Sequence, residues 1–114
     1  MRPDLRMYIG KVVMVTIDRP LGSRHPRYSD IVYPLNYGYI ADTVSGDGMP
    51  IDAYVLGVDE PVSQIQAIVI GVVLRTNDSE DKLVVAPEET NFTVEQIKEL
   101  VEFQERFFKS EVVN

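Results

Sequence analysis

Cysteine is absent from this 114-residue chain, and histidine occurs only once, at His25. Without a thiol the chain has no disulfide, no thiolate metal site and no cysteine nucleophile, and one histidine cannot supply a zinc site built on paired imidazoles. No run of about 18 apolar residues is present, which excludes a membrane-spanning helix. The first residues lack the basic and apolar pattern of a secretory signal. We therefore expect a cytoplasmic protein without a membrane partner.

Length leaves room for one domain. At roughly 150 residues per domain, residues 1–114 are expected to form a single unit. A domain of this size buries a modest fraction of its surface, so we also expect a homo-oligomer that buries more.

Positive charge is scarce after residue 30. The chain has 11 Lys and Arg against 18 Asp and Glu, a net charge of −7, and only five of the basic residues follow residue 30. An acidic protein is repelled by nucleic acid phosphates, so we expect no nucleic-acid partner. Both signs in one domain suit an anionic ligand held by basic groups together with divalent metals bound by carboxylates. The alternative is that the acids only keep the surface soluble.

The hydrophobic pattern predicts five short strands followed by one helix. The strands are expected at residues 9–17, 33–40, 51–58, 67–76 and 82–86. Thr93 and Gln96 have the spacing of a capping box, and apolar residues continue at helical spacing to about residue 109. The fold expected is mainly β with some α, a small barrel or curled sheet with a helix near the C-terminus packed outside.

Acidic residues concentrate in two turns between predicted strands. Asp47 and Asp52 lie five residues apart around a Gly-Met-Pro turn, and Asp78, Glu80 and Asp81 precede Lys82 directly. Carboxylates aimed into one space are the ligands that Mg²⁺ prefers, and a neighbouring Lys can contact phosphate. The alternative for each cluster is that turns favour Asp, Asn, Gly and Ser for backbone reasons.

The stretch YPLNYGY followed by DGMPID resembles the signature of the soluble, family I inorganic pyrophosphatases. The central match covers about 26 residues, and the flanks align more weakly. The resemblance implies a five-stranded closed barrel of the OB type with helices outside. It also implies hydrolysis of pyrophosphate to two phosphates with several Mg²⁺ ions.

The same resemblance implies roles for individual positions. The catalytic residues it implies are Asp18, Asp47, Asp52 and Tyr37. The substrate-binding residues it implies are Arg27, Tyr33, Lys82 and Lys109. The metal ligands it implies are Asp47, Asp52, Asp78 and Asp81, with Glu80 as an alternative to Asp81 because the spacing is shorter than in the family.

Three departures from the family pattern bear on activity. Met49 stands where the family has the middle Asp of its signature, and a thioether is a poor ligand for a hard cation and cannot accept a proton at neutral pH. Only four residues separate Tyr28 from Tyr33, so the family's phosphate-gripping Arg is missing unless Arg6, Arg19 or Arg24 replaces it. Phe108 lacks the hydroxyl of the corresponding Tyr.

Three functional interpretations remain open from the sequence. The first is a Mg²⁺-dependent inorganic pyrophosphatase in which metals and basic side chains neutralise the charge of the reacting phosphates. The second is a related hydrolase of another small diphosphate or a nucleotide. The third is a non-catalytic barrel that binds phosphate or metal.

Overall fold

The computed structural model describes residues 4–46, 48–77 and 80–114. A short 3₁₀ helix at Leu5–Tyr8 precedes the strands. In chain order the longer elements are β1 (Val12–Arg19), β2 (Asn36–Ile40), β3 (Ile51–Val55), β4 (Gln64–Arg75), β5 (Lys82–Ala86), α1 (Val94–Glu105) and β6 (Ser110–Val113). None of the helices in the described ranges is long and apolar enough to span a membrane.

Five strands close into a barrel. Their order is β1-β2-β3-β5-β4, and β1 pairs back onto β4 with Val12 opposite Ile68. The β3–β5 pairing is parallel, whereas the other pairings in the barrel are antiparallel. The expected mainly β, five-stranded closed barrel is therefore confirmed. β6 lies beside β4, outside the barrel circuit.

Apolar side chains pack on both faces of the sheet, because alternate residues of a strand point to opposite sides. One cluster fills the barrel interior and includes Val15, Ala53, Val55, Leu83 and Val85. The second lies on the outer face under helix α1 and includes Tyr37, Tyr54, Val84, Ile97 and Val101. Helix α1 thus packs outside the barrel, as the sequence predicted.

The capping box at the start of α1 is confirmed. Thr93 Oγ1 accepts a hydrogen bond from the Gln96 backbone N–H at 3.1 Å, and Gln96 Oε1 accepts one from the Thr93 N–H at 2.8 Å. These two bonds satisfy N–H groups that a helix start otherwise leaves unpaired, and such a cap contributes about 1 kcal/mol.

The far end of the helix was predicted wrongly. The apolar spacing indicates helix to residue 109, but α1 ends at Glu105 and a strand, β6, follows at Ser110–Val113. The Arg75 guanidinium lies 3.6 Å from the centre of the Phe108 ring. Phe108 therefore fits the helical spacing although its ring packs on β4 and the residue lies beyond the helix. The early 3₁₀ helix and β6 were not predicted, because four-residue elements carry too little periodicity.

A bulge in β1 brings two of its polar residues toward the outer face. Ile17 pairs with Gly38 and Arg19 with Tyr37, so Asp18 is the extra residue between them. Bulges re-aim side chains and increase strand twist. The close approach depends on glycine, because a Cβ at Gly38 would lie 1.9 Å from the Thr16 carbonyl oxygen.

Candidate active site

A cavity of about 570 Å³ opens on the outer face of the barrel. Side chains from β2, β3 and β5 contribute Tyr37, Asp52 and Lys82. Arg19 at the end of β1, the connection from β1 to β2 and the segment after α1 supply further walls, and β4, the connection from β4 to β5 and α1 each add one residue. The site is therefore built by elements that only the closed barrel brings together.

Four polar side chains meet on one side of this cavity. The Lys82 ammonium lies 2.9 Å from Asp52 Oδ2 and 2.6 Å from Glu80 Oε1, and Tyr37 donates a hydrogen bond of 2.8 Å to Asp52 Oδ2. Strand register explains this meeting. Tyr39 pairs with Asp52 across β2 and β3, which places Tyr37 on the same face two residues away. The parallel β3–β5 pairing brings Lys82 beside Asp52.

The carboxyl groups of this cluster carry shifted pKa values. Burial raises the pKa of Glu80 from its ordinary 4.5 to about 7, and its hydrogen bond with Asp52 adds to the rise. Burial also acts to raise the pKa of Asp52, but the hydrogen bond with Glu80 and the charge of Lys82 outweigh it, so that pKa is lowered. The pair therefore keeps one proton, held mainly on Glu80, until pH rises through about 7.

Arg19 lines the same cavity as this cluster. Its guanidinium donates a 2.8 Å hydrogen bond to the Tyr33 hydroxyl and lies 5.8 and 5.9 Å from the ring centres of Tyr33 and Tyr37. Within residues 4–46, 48–77 and 80–114 the structure gives Arg19 no salt bridge. Of the three arginines considered as replacements for the family's missing one, Arg19 alone lines the cavity.

A buried polar chain connects Arg19 to the end of α1. Tyr33 donates to Gln104 Oε1 at 2.8 Å, and Gln104 Nε2 donates to the Tyr54 hydroxyl at 2.8 Å. Tyr54 in turn donates to Glu105 Oε2 at 2.5 Å. Glu105 accepts two hydrogen bonds from Arg75 on β4, at 2.7 and 3.1 Å. The sequence alone did not indicate Arg75, Gln104 or Glu105, although two adjacent polar residues near the end of an amphipathic helix were a usable signal.

Asp18 lies close to the same charges, but it is exposed and is not among the residues that line the cavity. Partial burial raises its pKa; the positive charge of Arg19 opposes this rise, and the negative charge of Asp52 adds to it. The bulge in β1 places Asp18 next to Arg19 at this end of the strand. A carboxylate with a raised pKa beside cations can accept a proton from water or return one.

Several residues singled out in the sequence lie elsewhere or cannot be placed. Asp47 and Asp78 fall outside the described residues. Asp81 is buried and accepts a hydrogen bond from the backbone N–H of Arg75 at 2.9 Å, whereas Glu80 faces the cavity. Arg27 and Lys109 are exposed and are not among the residues that line the cavity. Lys109 follows α1 instead of lying on it.

Met49 is also outside the cavity lining and is 63% exposed. Its carbonyl oxygen accepts a hydrogen bond from the Ser45 N–H at 2.8 Å, which closes the turn between β2 and β3. The position is therefore part of a surface turn in this chain, and a thioether is tolerated there.

The carboxylates present fit a hard divalent cation. Asp52 and Glu80 are half-buried beside one ammonium, that of Lys82, and partial burial raises the pKa of Glu80 so that it keeps a proton up to about pH 7. A Mg²⁺ ion, which prefers oxygen ligands, would take the place of that proton. Considering only the residues that the structure describes, no group of three or more carboxylates or imidazoles forms a complete ligand set.

Comparison with solved structures defines the class of fold. An inorganic pyrophosphatase from Ehrlichia chaffeensis superimposes with a TM-score of 0.71 at 21% identity, covering 93% of this chain and 87% of that one. A Neisseria gonorrhoeae inorganic pyrophosphatase gives a TM-score of 0.66 at 19% identity, covering 97% of this chain and 88% of that one. The barrel is therefore the OB-like fold that the sequence resemblance implied.

Sequence comparison gives the family. A family model described as inorganic pyrophosphatase matches residues 11–112, and the chain belongs to that family. Inorganic pyrophosphatases from Saccharolobus solfataricus and Rickettsia prowazekii are each 38% identical, over 76 and 73 residues. These alignments cover 64% and 60% of this chain but only 41% and 42% of the relatives, so the match spans about two fifths of their length.

Proposed function

We propose that this chain hydrolyses inorganic pyrophosphate to two phosphates with the help of Mg²⁺. The observation that carries the proposal is the cluster of Tyr37, Asp52, Glu80 and Lys82, which lines one cavity together with Arg19. Carboxylates for metal and cations for phosphate are the parts that phosphoryl transfer requires, since its barrier falls through positioning and charge neutralisation. Membership of the inorganic pyrophosphatase family supports the choice of substrate.

Mg²⁺ would be held by Asp52 and Glu80. Asp47 and Asp78 would complete the ligand set, and these two are supported by the sequence resemblance alone. When bound, the metal neutralises phosphate charge and lowers the pKa of water. Glu80 replaces Asp81 in this proposal because Glu80 lines the cavity and the Asp81 carboxylate accepts a backbone hydrogen bond. Tyr37 orients Asp52 through its 2.8 Å hydrogen bond.

The remaining residues bind substrate and handle the proton. Arg19 and Lys82 draw the diphosphate into the cavity and stabilise the negative charge that the leaving phosphate gains. Asp18 accepts the proton of the attacking water, a role that does not need a carboxylate at position 49. Arg27, Tyr33 and Lys109 stay predictions from the resemblance, and Tyr33 contributes here by holding Arg19 at 2.8 Å.

The test is phosphate release from pyrophosphate by the purified protein with Mg²⁺ and with EDTA. We expect release only with the metal, and loss of at least about 10²-fold in the Asp52→Asn variant. Asp59→Asn, which neutralises an exposed carboxylate in the connection from β3 to β4, is the matched control and should keep full activity. Thermal unfolding of all three proteins checks that they are folded. Equal hydrolysis by wild type and Asp52→Asn, or no metal-dependent release, would contradict the proposal.

A homo-oligomer remains part of the proposal, on the argument that so small a domain gains buried surface by self-association. Light scattering during size-exclusion chromatography tests it directly. A mass of 12.9 kDa, that of one chain, would exclude it.

A further inference from the structure

The residues that line the cavity are of two chemical kinds. Arg19, Asp52, Glu80 and Lys82 are the charged group already described, called here the charged end. The lining also includes His25, Tyr28, Ile31 and Phe107, called here the aromatic end, together with Asp30. Hydrolysis of an inorganic ion uses the charged end and leaves this aromatic end without a role.

The aromatic rings lie at the rim and are not part of the core. Tyr28 is 55% exposed and Phe107 is 59% exposed. His25 holds the loop in place, because its Nδ1 accepts hydrogen bonds from the backbone N–H groups of Arg27 and Tyr28 at 3.1 and 3.2 Å. The His25 and Tyr28 ring centres are 5.2 Å apart, and His25 is stacked on Tyr33 at 6.3 Å. One side of this end is therefore a fixed surface of aromatic faces.

The size of the cavity also favours an organic ligand. Pockets of roughly 300–1,000 Å³ with aromatic walls and a few polar groups are typical of organic ligands, and this one measures about 570 Å³. Pyrophosphate and its Mg²⁺ are wholly polar, so they offer no apolar surface to cover the two exposed rings. A ligand with a planar organic group would cover them.

We propose that the cavity takes a diphosphate carrying a planar aromatic group, for which a nucleoside diphosphate is the simplest example. This inference rests on the proposed function, since the diphosphate occupies the same charged end. The base lies against Tyr28 and Phe107, and Asp30 is placed to accept a hydrogen bond from a sugar hydroxyl or an exocyclic amino group.

Hydrolysis of such a ligand is the same reaction step. Water oxygen forms a bond to the terminal phosphorus, and the bond from that phosphorus to the bridging oxygen breaks. The electron pair of that bond leaves with the nucleoside monophosphate, and the proton of the water passes to Asp18. The products are one phosphate and one nucleoside monophosphate.

The test measures binding of two matched compounds that cannot be hydrolysed, methylenediphosphonate and α,β-methyleneadenosine diphosphate, by calorimetry with Mg²⁺. They share the diphosphonate and differ in the adenosine. Base stacking on an aromatic ring predicts that wild type binds the adenosine compound about tenfold more tightly or better. Tyr28→Ala and Phe107→Ala should each weaken the adenosine compound about tenfold and leave methylenediphosphonate unchanged.

Two control variants sharpen the measurement. Tyr28→Phe keeps the ring and should keep tight binding. Leu100→Ala removes an exposed apolar side chain of α1 that does not line the cavity, and it should change neither compound.

The outcomes separate this inference from the proposed function. If methylenediphosphonate binds and the adenosine adds nothing, or if Tyr28→Ala and Phe107→Ala weaken neither compound, the inference is overturned while the pyrophosphatase proposal stands. If neither compound binds, both fail. If the two alanine variants dissociate an oligomer on light scattering, the aromatic end is an interface between copies, and the inference is overturned.

Discussion

Arg75 and Glu105 form a salt bridge of 2.7 Å in which the side chains are only 4% and 5% exposed. Arg75 ends β4 and Glu105 ends α1, so the pair ties the helix to the barrel next to the cavity. Burial acts to lower the pKa of Arg75, but the hydrogen bonds and charge of Glu105 outweigh it, so its pKa is raised.

Removing one partner of this pair should be costly. Glu105→Ala leaves a buried guanidinium without its carboxylate, and we expect a loss of roughly 3–5 kcal/mol in the free energy of unfolding. Urea denaturation measures it. The double variant Arg75→Met with Glu105→Leu should lose less than Glu105→Ala, because no unpaired charge remains. Asp4→Asn breaks the exposed Arg6–Asp4 pair and should have no measurable effect. Equal losses from the buried and exposed pairs would contradict this account.

Gly38→Ala should damage both stability and activity. The new Cβ would lie 1.9 Å from the Thr16 carbonyl oxygen, so β1 must shift, at a cost of about 1–3 kcal/mol. The shift also moves the bulge that presents Asp18 and Arg19. Gly10→Ala is the control, because Gly10 has a positive φ of 89° but no heavy atom within 4 Å of an added Cβ. It should lose some stability and keep activity; activity retained by Gly38→Ala would show that the bulge is not required.

Glu80 should make the metal-free protein less stable as pH rises. Its pKa is 4.5 ordinarily and about 7 when folded, so the folded state binds the proton more tightly. This stabilisation is complete below pH 4.5 and is lost as pH rises through about 7. With solvent screening allowed for, the free energy of unfolding of wild type should fall by roughly 1–2 kcal/mol between pH 5 and 8. Glu80→Gln should not show this fall, because its amide can donate a hydrogen bond to Asp52 at every pH.

The measurement is urea unfolding of wild type and Glu80→Gln in EDTA at several pH values. The difference between the two proteins cancels the titration of all other groups. Adding Mg²⁺ at pH 8 should stabilise wild type and have much less effect on Glu80→Gln. Parallel pH curves for the two proteins would remove Glu80 as the titrating group.

Replacing Arg19 should lower activity without lowering the stability of the fold. Arg19→Met is expected to lower kcat/KM for pyrophosphate on the order of 10²-fold, because a cation facing the phosphates is lost. The unfolding midpoint should move little, since Arg19 is only half-buried and the described residues form no salt bridge with it. Arg6→Met, which removes an exposed arginine paired with Asp4, is the control of equal charge change. If both variants are equally active, Arg19 does not replace the missing family arginine.

Much of the fold could be predicted from local sequence patterns. The five barrel strands and the capping box at Thr93 follow from β-branched runs and from a three-residue spacing, both of which are short-range signals. The end of α1 was missed because Phe108, which keeps the helical spacing, contacts Arg75, more than thirty residues away in the sequence. No periodicity within one segment encodes such a contact.

Part of the candidate site could likewise be predicted from the sequence, and part could not. Tyr37, Asp52 and Lys82 were named from the signature, and the register of β2, β3 and β5 brings them together. The chain from Tyr33 through Gln104 to Glu105 depends on how the helix lies on the barrel, which the sequence pattern does not specify. The sequence left Arg6, Arg19 and Arg24 open as replacements for the family's arginine, and our proposal uses Arg19 because it alone of the three lines the cavity.

The closure of β1 on β4 also has a kinetic consequence. Residues 12 and 68 must meet before the barrel is complete, and the parallel pairing of β3 with β5 joins residues 53 and 83. Folding dominated by such distant pairings is slow, in the range of milliseconds to seconds, because the entropy of loop closure is lost before the contacts form. Asp52 and Lys82 come from β3 and β5, so a refolding chain regains this charged pair only after that distant parallel pairing has formed.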